Sequence, residues 1–193
     1  MLTPQDKKLF LEQGYLLVTD VLQGEHLSRI QNAFDEVWEI EEAPPCPQYK
    51  LLKHQPFIEL IEHPPILEFH RSFFGNQLQL LQLDLLRQGP HSNVGERGWH
   101  RDFSFPADRP LSINTILFVD DITMEKGPTR VVPGSHRREA RPSKSQKSAV
   151  LEDEVAVPCP AGSAIFINSA IWHSGGRNTT DGLRRGIYLY YGY

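Results

Sequence analysis

Apolar residues near the start of the chain are spaced as in short helices. Thr3 followed by Pro4 is typical of a helix N-terminus, so we predict a helix over Pro4–Gln13, with Thr3 as its N-cap and Gly14 at its end. Residues 15–19 are mostly apolar and predict a short strand directly after it.

A longer amphipathic helix is predicted from residue 25 to about residue 40. Apolar side chains recur there every three or four residues, at Leu27, Ile30, Phe34 and Val37. Three prolines between residues 44 and 47 end this helix. The pair Pro64-Pro65 then predicts the start of another helix, which ends near Gly75.

Beyond residue 75 the pattern becomes the alternation that is typical of strands. Leu81, Leu83 and Leu85 alternate with Gln82 and Asp84. Further strands are predicted over residues 99–103, 111–119, 129–132, 164–168 and 186–191, with turns at Pro133-Gly134-Ser135 and Ala161-Gly162. Short strands after a helical start predict a mainly β fold, a barrel or jelly roll with flanking α-helices. We expect one domain over residues 1–193, with a mostly helical flank over 1–75 and the jelly-roll core over 76–193.

Composition excludes several classes of protein. The chain has 193 residues, a net charge of -4 and a pI of about 6.1, so no overall basic field recruits nucleic acid. No apolar run is long enough to cross a membrane, and the N-terminus lacks a signal-peptide pattern. The two cysteines, Cys46 and Cys159, form no CxxC pair, and we expect no disulfide between them. We therefore predict a cytoplasmic protein.

The segment 137–154 is polar and charged, and it predicts an exposed loop. Its basic cluster consists of Arg137, Arg138, Arg141, Lys144 and Lys147. A contact with an anionic partner is one interpretation, but we favour a solvated loop.

The candidate chemistry begins at His100 and Asp102, which are separated by one residue on a predicted strand. Positions i and i+2 of a strand share a face, so both side chains would point into the barrel. The aromatic neighbours Trp99, Phe103 and Phe105 predict a partly buried site, where an unpaired charge is costly and a bound divalent metal would remove that cost. The alternative is a surface pair near a turn.

His173 is the natural third ligand. It follows Ile171 and Trp172 and precedes small residues, among them Gly175, which would let a cofactor approach the backbone closely. Two imidazoles and one carboxylate are the ligand set of an open non-haem Fe(II) site. The alternative for His173 is a hydrogen-bonded core histidine.

Arg184 follows His173 by eleven positions and stands at the start of the last predicted strand. A guanidinium can hold a carboxylate through two hydrogen bonds, as a dicarboxylate co-substrate would require. Strand alternation predicts that Arg184 and Arg185 face opposite ways, one into the barrel and one out. The alternative is a surface arginine at a strand end.

Four ordered motifs in this chain resemble those of the phytanoyl-CoA dioxygenase family of Fe(II)/2-oxoglutarate oxygenases. Residues 12–18 (EQGYLLV) resemble its opening helix-to-strand passage, and residues 99–103 (WHRDF) its first metal motif. Residues 127–136 (GPTRVVPGSH) resemble its turn motif and are the most specific of the four. Residues 173–178 (HSGGRN) with Arg184 resemble its closing motif.

The resemblance implies a double-stranded β-helix core in which His100, Asp102 and His173 bind iron. It also implies Fe(II) as the metal, with 2-oxoglutarate and O2 as co-substrates. A related halogenase would carry Gly or Ala in place of Asp102 to leave room for chloride. The aspartate therefore favours hydroxylation, and the Asp102→Ala variant is expected to lose it.

The resemblance further implies that Arg184 pairs with the distal carboxylate of 2-oxoglutarate. Thr129 and Lys50 are further candidates for co-substrate contacts, although a structural threonine and a solvated lysine are equally good interpretations. His136 ends the turn motif and is interpreted as structural. Ile116 stands where relatives often carry a tryptophan, so we expect a different pocket wall.

The implied activity is hydroxylation of an unactivated C–H bond of a small-molecule substrate, with release of succinate and CO2. One alternative is a catalytically silent metal-binding jelly-roll protein with a sensing or structural role, and another is a cupin-like metal isomerase or hydrolase. Phe103, Phe105 and Trp172 favour a mainly apolar substrate. The chain stops soon after Arg184, where relatives usually continue, so the sequence does not predict which segment forms the substrate lid. We expect a monomer or a homodimer, including one in which a partner subunit covers the site.

Overall fold

The structure, a computed structural model, describes residues 3–40, 48–93, 96–102, 106 and 109–193. Its helices are α1 (Pro4–Gln13), α2 (Gly24–Ile40), α3 (Gln48–Leu51), α4 (Gln55–Ile61) and α5 (Pro64–Phe74). Its strands are β1 (Tyr15–Val18), β2 (Gln79–Gln88), β3 (Ser112–Phe118), β4 (Thr129–Val132), β5 (Val155–Val157), β6 (Ala164–Asn168), β7 (Trp172–Ser174) and β8 (Arg184–Gly192). Helices predominate before residue 75 and strands after it, but β1 of the predicted helical flank is part of a sheet.

The strands form two antiparallel sheets. The larger has the order β1-β6-β3-β8-β2 and the smaller the order β5-β4-β7. Every residue of β3 is buried, because helices cover one face of the larger sheet and the smaller sheet covers the other. Leu117 packs in the cluster shared with the helices, whereas its neighbours Ile116 and Phe118 pack with Val131 of β4, between the sheets.

Two of the motifs in the sequence contact each other directly. Gly14 ends α1 with a φ of 82°, and a side chain there would collide with the ring of His136. His136 is fully buried, and its Nε2 lies 3.1 Å from the carbonyl oxygen of Leu11. The N–H of Gly134 donates to the carbonyl of Gln13 at 2.8 Å. His136 therefore joins the turn motif to α1, as the structural interpretation predicted.

The predicted strand over residues 99–103 is wrong for the residues of it that the structure describes. His100 forms an isolated bridge with His173 instead of a continuous ladder. The N–H of Trp99 turns away to the carbonyl of Lys147 at 3.0 Å, so the backbone leaves the sheet directly before the bridge. Phe103 and Phe105 lie outside the described residues.

Helices α3 and α4 and strands β5 and β7 were not predicted. The strands have three residues each and α3 has four, which is too short for a period to emerge from the sequence. Cys159 is a buried free thiol, and burial raises its pKa to about 11. Cys46 and the prolines between residues 44 and 47 lie outside the described residues. In the part of the chain that the structure describes, no helix is both long and apolar enough to span a bilayer.

Candidate metal centre

The three predicted metal ligands lie together in the structure. One ligand atom from each of His100, Asp102 and His173 can be chosen so that all three lie within 4.8 Å of one another. The Oδ1 atom of Asp102 is 3.6 Å from Nε2 of His100 and 3.7 Å from Nε2 of His173. The exposed fraction falls from 52% for the His100 side chain to 9% for His173, so the group opens to solvent on one side.

Both histidine rings are held in the orientation that a metal ligand requires. Nδ1 of His100 lies 2.6 Å from the carbonyl of Gly98, and Nδ1 of His173 lies 3.2 Å from that of Ile171. A carbonyl can only accept, so Nδ1 carries the proton in each ring and Nε2 keeps its lone pair. Metal-binding histidines commonly show this arrangement, so the donor set fits a divalent metal.

The electrostatics of the site also favour neutral imidazole at His173. Burial lowers the pKa of His173, and the nearby His100 lowers it further, while the Asp102 carboxylate acts in the opposite direction. Neutral imidazole is the form that binds metal.

The segment that carries His100 and Asp102 is held between β7 and the loop over residues 137–154. On the β7 side, His100 and His173 exchange backbone hydrogen bonds of 3.1 and 2.9 Å. On the loop side, the Trp99 indole donates to the carbonyl of Ala149 at 3.0 Å. Buried Arg101 donates to the carbonyls of Arg138 and Ala140 at 2.9 and 2.6 Å.

The loop over 137–154 therefore has a second role beside its exposed, charged surface. Many of its side chains are exposed, as predicted. Glu154, at its end, is largely buried and accepts hydrogen bonds from Arg97 and Arg130 at 3.1 and 2.8 Å. These contacts anchor the loop beside the three predicted metal ligands.

Arg184 and Arg185 face opposite ways, as strand alternation predicted. Arg184 is 2% exposed and lines the same cavity as the three ligands, where its Nε donates to the carbonyl of Gly127 at 2.9 Å. Arg185 points to the other face and forms ion pairs with Asp120 and Asp35, both at 2.7 Å. Among the described residues, no carboxylate lies within ion-pair distance of Arg184, whereas Arg185 has two.

The cavity around these groups has a volume of about 420 Å³ and lies between the two sheets. Thr129, at the start of β4, lines it and is buried. Ile116 of β3 forms part of its wall, at the position where the sequence predicted a changed wall. Lys50 lies on α3, and the structure does not place it among the residues that line the cavity. Trp172, which was expected to favour an apolar substrate, packs with Trp99 in a separate buried cluster.

Sequence reasoning missed two tyrosines of the site, Tyr188 and Tyr190. Both line the cavity, and the Tyr190 hydroxyl donates a hydrogen bond to Oδ2 of Asp102. Burial, followed by the charge of Asp102, raises the pKa of Tyr190 well above its usual value, so the phenol stays a donor. Their signal was present in the sequence, because Arg184, Tyr188 and Tyr190 are separated by even numbers of residues on one strand.

Comparison with known proteins identifies the family. The family model for phytanoyl-CoA dioxygenase (PhyH) matches residues 10–186 of the chain. The chain belongs to the phytanoyl-CoA dioxygenase family. The four motifs that suggested this family all fall within the matched residues.

The curated relatives of this family member match with modest identity. An uncharacterised protein of Mycobacterium tuberculosis is 35% identical over 89 residues, which are 46% of this chain and only 32% of that protein. The L-proline trans-4-hydroxylase of Streptomyces griseoviridis is 28% identical over 153 residues, covering 63% of this chain and 57% of the hydroxylase. Human peroxisomal phytanoyl-CoA dioxygenase is 22% identical over 97% of this chain and 67% of its own length. The chain thus spans about a third of the first of these relatives.

Solved structures share the fold of this family member. The non-heme alpha-ketoglutarate-dependent carbocyclase SnoK from nogalamycin biosynthesis superposes with a TM-score of 0.80 at 23% identity, over 98% of this chain and 83% of SnoK. HygX from Streptomyces hygroscopicus, with nickel and 2-oxoglutarate bound, superposes with a TM-score of 0.79 at 17% identity, over 100% of this chain and 87% of HygX. The predicted fold, a mainly β jelly roll with flanking helices, is confirmed.

Proposed function

We propose that this chain is a non-haem Fe(II)/2-oxoglutarate-dependent dioxygenase. In this proposal His100, Asp102 and His173 hold the ferrous ion. The proposal is supported by the convergence of three ligand atoms within 4.8 Å and by membership of a dioxygenase family.

Arg184 is proposed to bind the distal carboxylate of 2-oxoglutarate. Its guanidinium is buried in the cavity of the three ligands, and no described carboxylate pairs with it there. A buried cation without a counter-charge is costly, and a bound carboxylate would remove that cost through two charge-assisted hydrogen bonds. This buried cation beside the three ligands is the observation that carries the proposal, because a structural metal site would not need it.

The chain's own residues bind, orient and shield the reactants. Bound Fe(II) supplies the activation of O2, which is coupled to the oxidative decarboxylation of 2-oxoglutarate to succinate and CO2. His173 and the buried part of the cavity exclude bulk water on one side, while the exposed edge of His100 leaves a way in for the substrate. Ile116 and Thr129 form the wall that is proposed to orient the keto acid.

The proposed substrate is a small, mainly apolar molecule that is hydroxylated at an unactivated C–H bond. A second groove of about 440 Å³ continues from the cavity, with Gln82, Leu86, Tyr188 and Tyr190 lining both. Trp38 forms part of the far wall, and the Arg87 guanidinium stacks on its ring at 4.7 Å. Volumes of this size and largely apolar walls suit a small-molecule ligand.

The test of this proposal is an anaerobic titration followed by a turnover assay. We expect stoichiometric uptake of Fe(II), and iron-dependent formation of succinate from 2-oxoglutarate once air is admitted. The Asp102→Ala variant should lose both iron binding and succinate formation. Fe(II) uptake without any succinate, with or without a panel of apolar substrates, would favour the catalytically silent metal-binding alternative.

Two arginine variants test whether Arg184 binds the co-substrate. Replacing Arg184 by Lys removes the two-pronged donor, which is worth about 1.5–3 kcal/mol for a charged hydrogen bond, so KM for 2-oxoglutarate should rise about 10- to 100-fold. Arg185→Lys is the matched control, since it keeps the charge opposite Asp120 and Asp35 and lies on the other face of β8. Equal KM values for the two variants would contradict the assignment of Arg184.

A further inference from the structure

The two oxygen atoms of the Asp102 carboxylate have different partners. Oδ1 faces Nε2 of His100 at 3.6 Å and Nε2 of His173 at 3.7 Å. Oδ2 accepts a hydrogen bond from the hydroxyl of Tyr190. One oxygen is therefore directed toward the proposed metal position, and the other is occupied by a tyrosine.

We infer that Tyr190 is a positioning residue that keeps Asp102 a one-oxygen ligand. This inference rests on the proposed metal site. A carboxylate can bind a metal through one oxygen or through both. Six-coordinate iron with three protein ligands keeps three positions for a two-pronged keto acid and O2, and a second Asp102 oxygen would take one of them. A donor fixed on Oδ2 prevents this and also holds the rotamer of Asp102.

The fold holds Tyr190 and Asp102 in place independently of each other. Tyr190 is the register partner of Asn114 on the neighbouring strand β3, and both line the cavity. Asp102 is held from its backbone, because its N–H donates to the carbonyl of Ser169 at 2.8 Å. The tyrosine and the aspartate are therefore anchored by separate elements and meet only through their side chains.

Tyr188 provides a matched comparison. It lies two residues earlier on the same face of β8 and lines the same cavity. In the described part of the chain, no hydrogen bond joins Tyr188 to Asp102, so removing its hydroxyl removes a polar group of the cavity and leaves the metal ligand untouched.

The experiment begins with a calorimetric titration of the metal-free protein with Co(II). The visible absorption of the bound ion is then recorded, and the Co(II)-loaded protein is finally titrated with 2-oxoglutarate. The Tyr190→Phe variant should bind Co(II) about 10- to 100-fold more weakly, the range found when an outer hydrogen-bond partner of a ligand is lost. Its absorption spectrum should change, and its affinity for 2-oxoglutarate in the Co(II)-loaded state should fall. Tyr188→Phe should keep the parental Co(II) affinity and spectrum.

Two further measurements keep the outcomes distinct. Thermal unfolding of the metal-free variants shows whether Tyr190→Phe is folded, and Tyr190→His, which retains an N–H donor, should recover part of the Co(II) affinity. If Tyr190→Phe binds Co(II) with the parental affinity and spectrum, or if Phe and His behave alike, the inference is wrong while the metal site stands. If the parental protein takes up no stoichiometric Co(II), the proposed metal site itself fails.

Discussion

His70 is a titratable side chain enclosed in the apolar core, away from the proposed metal ligands. It lies on α5 with no exposed surface, and its Nε2 is 2.7 Å from the hydroxyl of Thr115. The rings of Phe166 and Tyr191 pack around it, with centroids 5.7 and 4.3 Å away. Burial lowers the pKa of His70 from 6.5 to about 3, so the folded protein holds the ring neutral.

This burial predicts a loss of stability in mild acid. The folded pKa lies below the unfolded one, so the unfolded chain binds the extra proton between pH 6.5 and about 3. Stability is therefore complete above pH 6.5 and falls by up to about 1.4 kcal/mol for each pH unit below it. Between pH 7.5 and 5.5 the free energy of unfolding, measured in urea, should fall by about 1.4 kcal/mol more in the parental protein than in His70→Gln. His91→Gln, at an exposed position, is the control, and equal losses for all three proteins would contradict the prediction.

The sequence predicted those side chains of the site whose type restricts their chemistry. His100, Asp102 and His173 were predicted together because few residue types bind iron, and the structure brings their ligand atoms within 4.8 Å of one another. The opposite directions of Arg184 and Arg185 followed from strand alternation. Tyr190 could not be assigned in this way, because a tyrosine on a buried strand is usually a packing residue. Its partner Asp102 is 88 positions away, and only the fold brings the two together.

Two turns of the site cross with their backbones in contact. A Cβ atom on Gly176 would lie 2.7 Å from Cα of Gly127 and 2.9 Å from the carbonyl oxygen of Pro128. The same Gly127 accepts the Nε hydrogen bond of Arg184. Gly176 therefore lets the turn motif approach closely enough for Gly127 to anchor Arg184.

We predict that Gly176→Ala destabilises the protein by about 1–3 kcal/mol, because backbone atoms on both sides must move apart to admit the methyl group. Its affinity for 2-oxoglutarate should also fall, since Gly127 would shift with the turn. Gly89→Ala is the matched control, because no heavy atom lies within 4 Å of a Cβ there and its φ is outside the left-handed region. Its unfolding free energy should stay within about 0.5 kcal/mol of the parental value in urea titrations. Similar values for the two variants would show that the crossing is looser than the structure indicates.

Elements with strong local signals could be predicted, and those that depend on distant partners could not. The helix α1 was predicted with its bounds because Thr3 and Pro4 mark its start and Gly14 marks its end. In the structure Thr3 and Asp6 form a capping box there. The segment 99–102 was predicted as part of a strand, yet its backbone bonds to β7 at one point and to the loop over 137–154 at another. That division is set by tertiary contacts, and no pattern within the segment shows it.

The proposed metal ion and 2-oxoglutarate would connect the two sheets. His173 belongs to β7 of the smaller sheet, and Arg184 belongs to β8 of the larger one. A keto acid bound to the metal and to Arg184 would thus bridge both layers across the cavity. Because only the folded state assembles this site, such binding must raise the stability of the whole fold by mass action.

We therefore predict a stepwise rise in Tm with the metal-free protein as reference. Co(II) at 100 times its Kd should add about 2.7 kcal/mol, which corresponds to a rise of about 5–10 °C for a chain of this size. Adding 2-oxoglutarate after Co(II) should raise Tm again, and by more than 2-oxoglutarate does alone, because without the metal only one end of the keto acid is held. Arg184→Lys should keep the Co(II) step and lose most of the second step. If 2-oxoglutarate raises Tm equally with and without Co(II), the two groups do not share one ligand and the bridge between the sheets does not form.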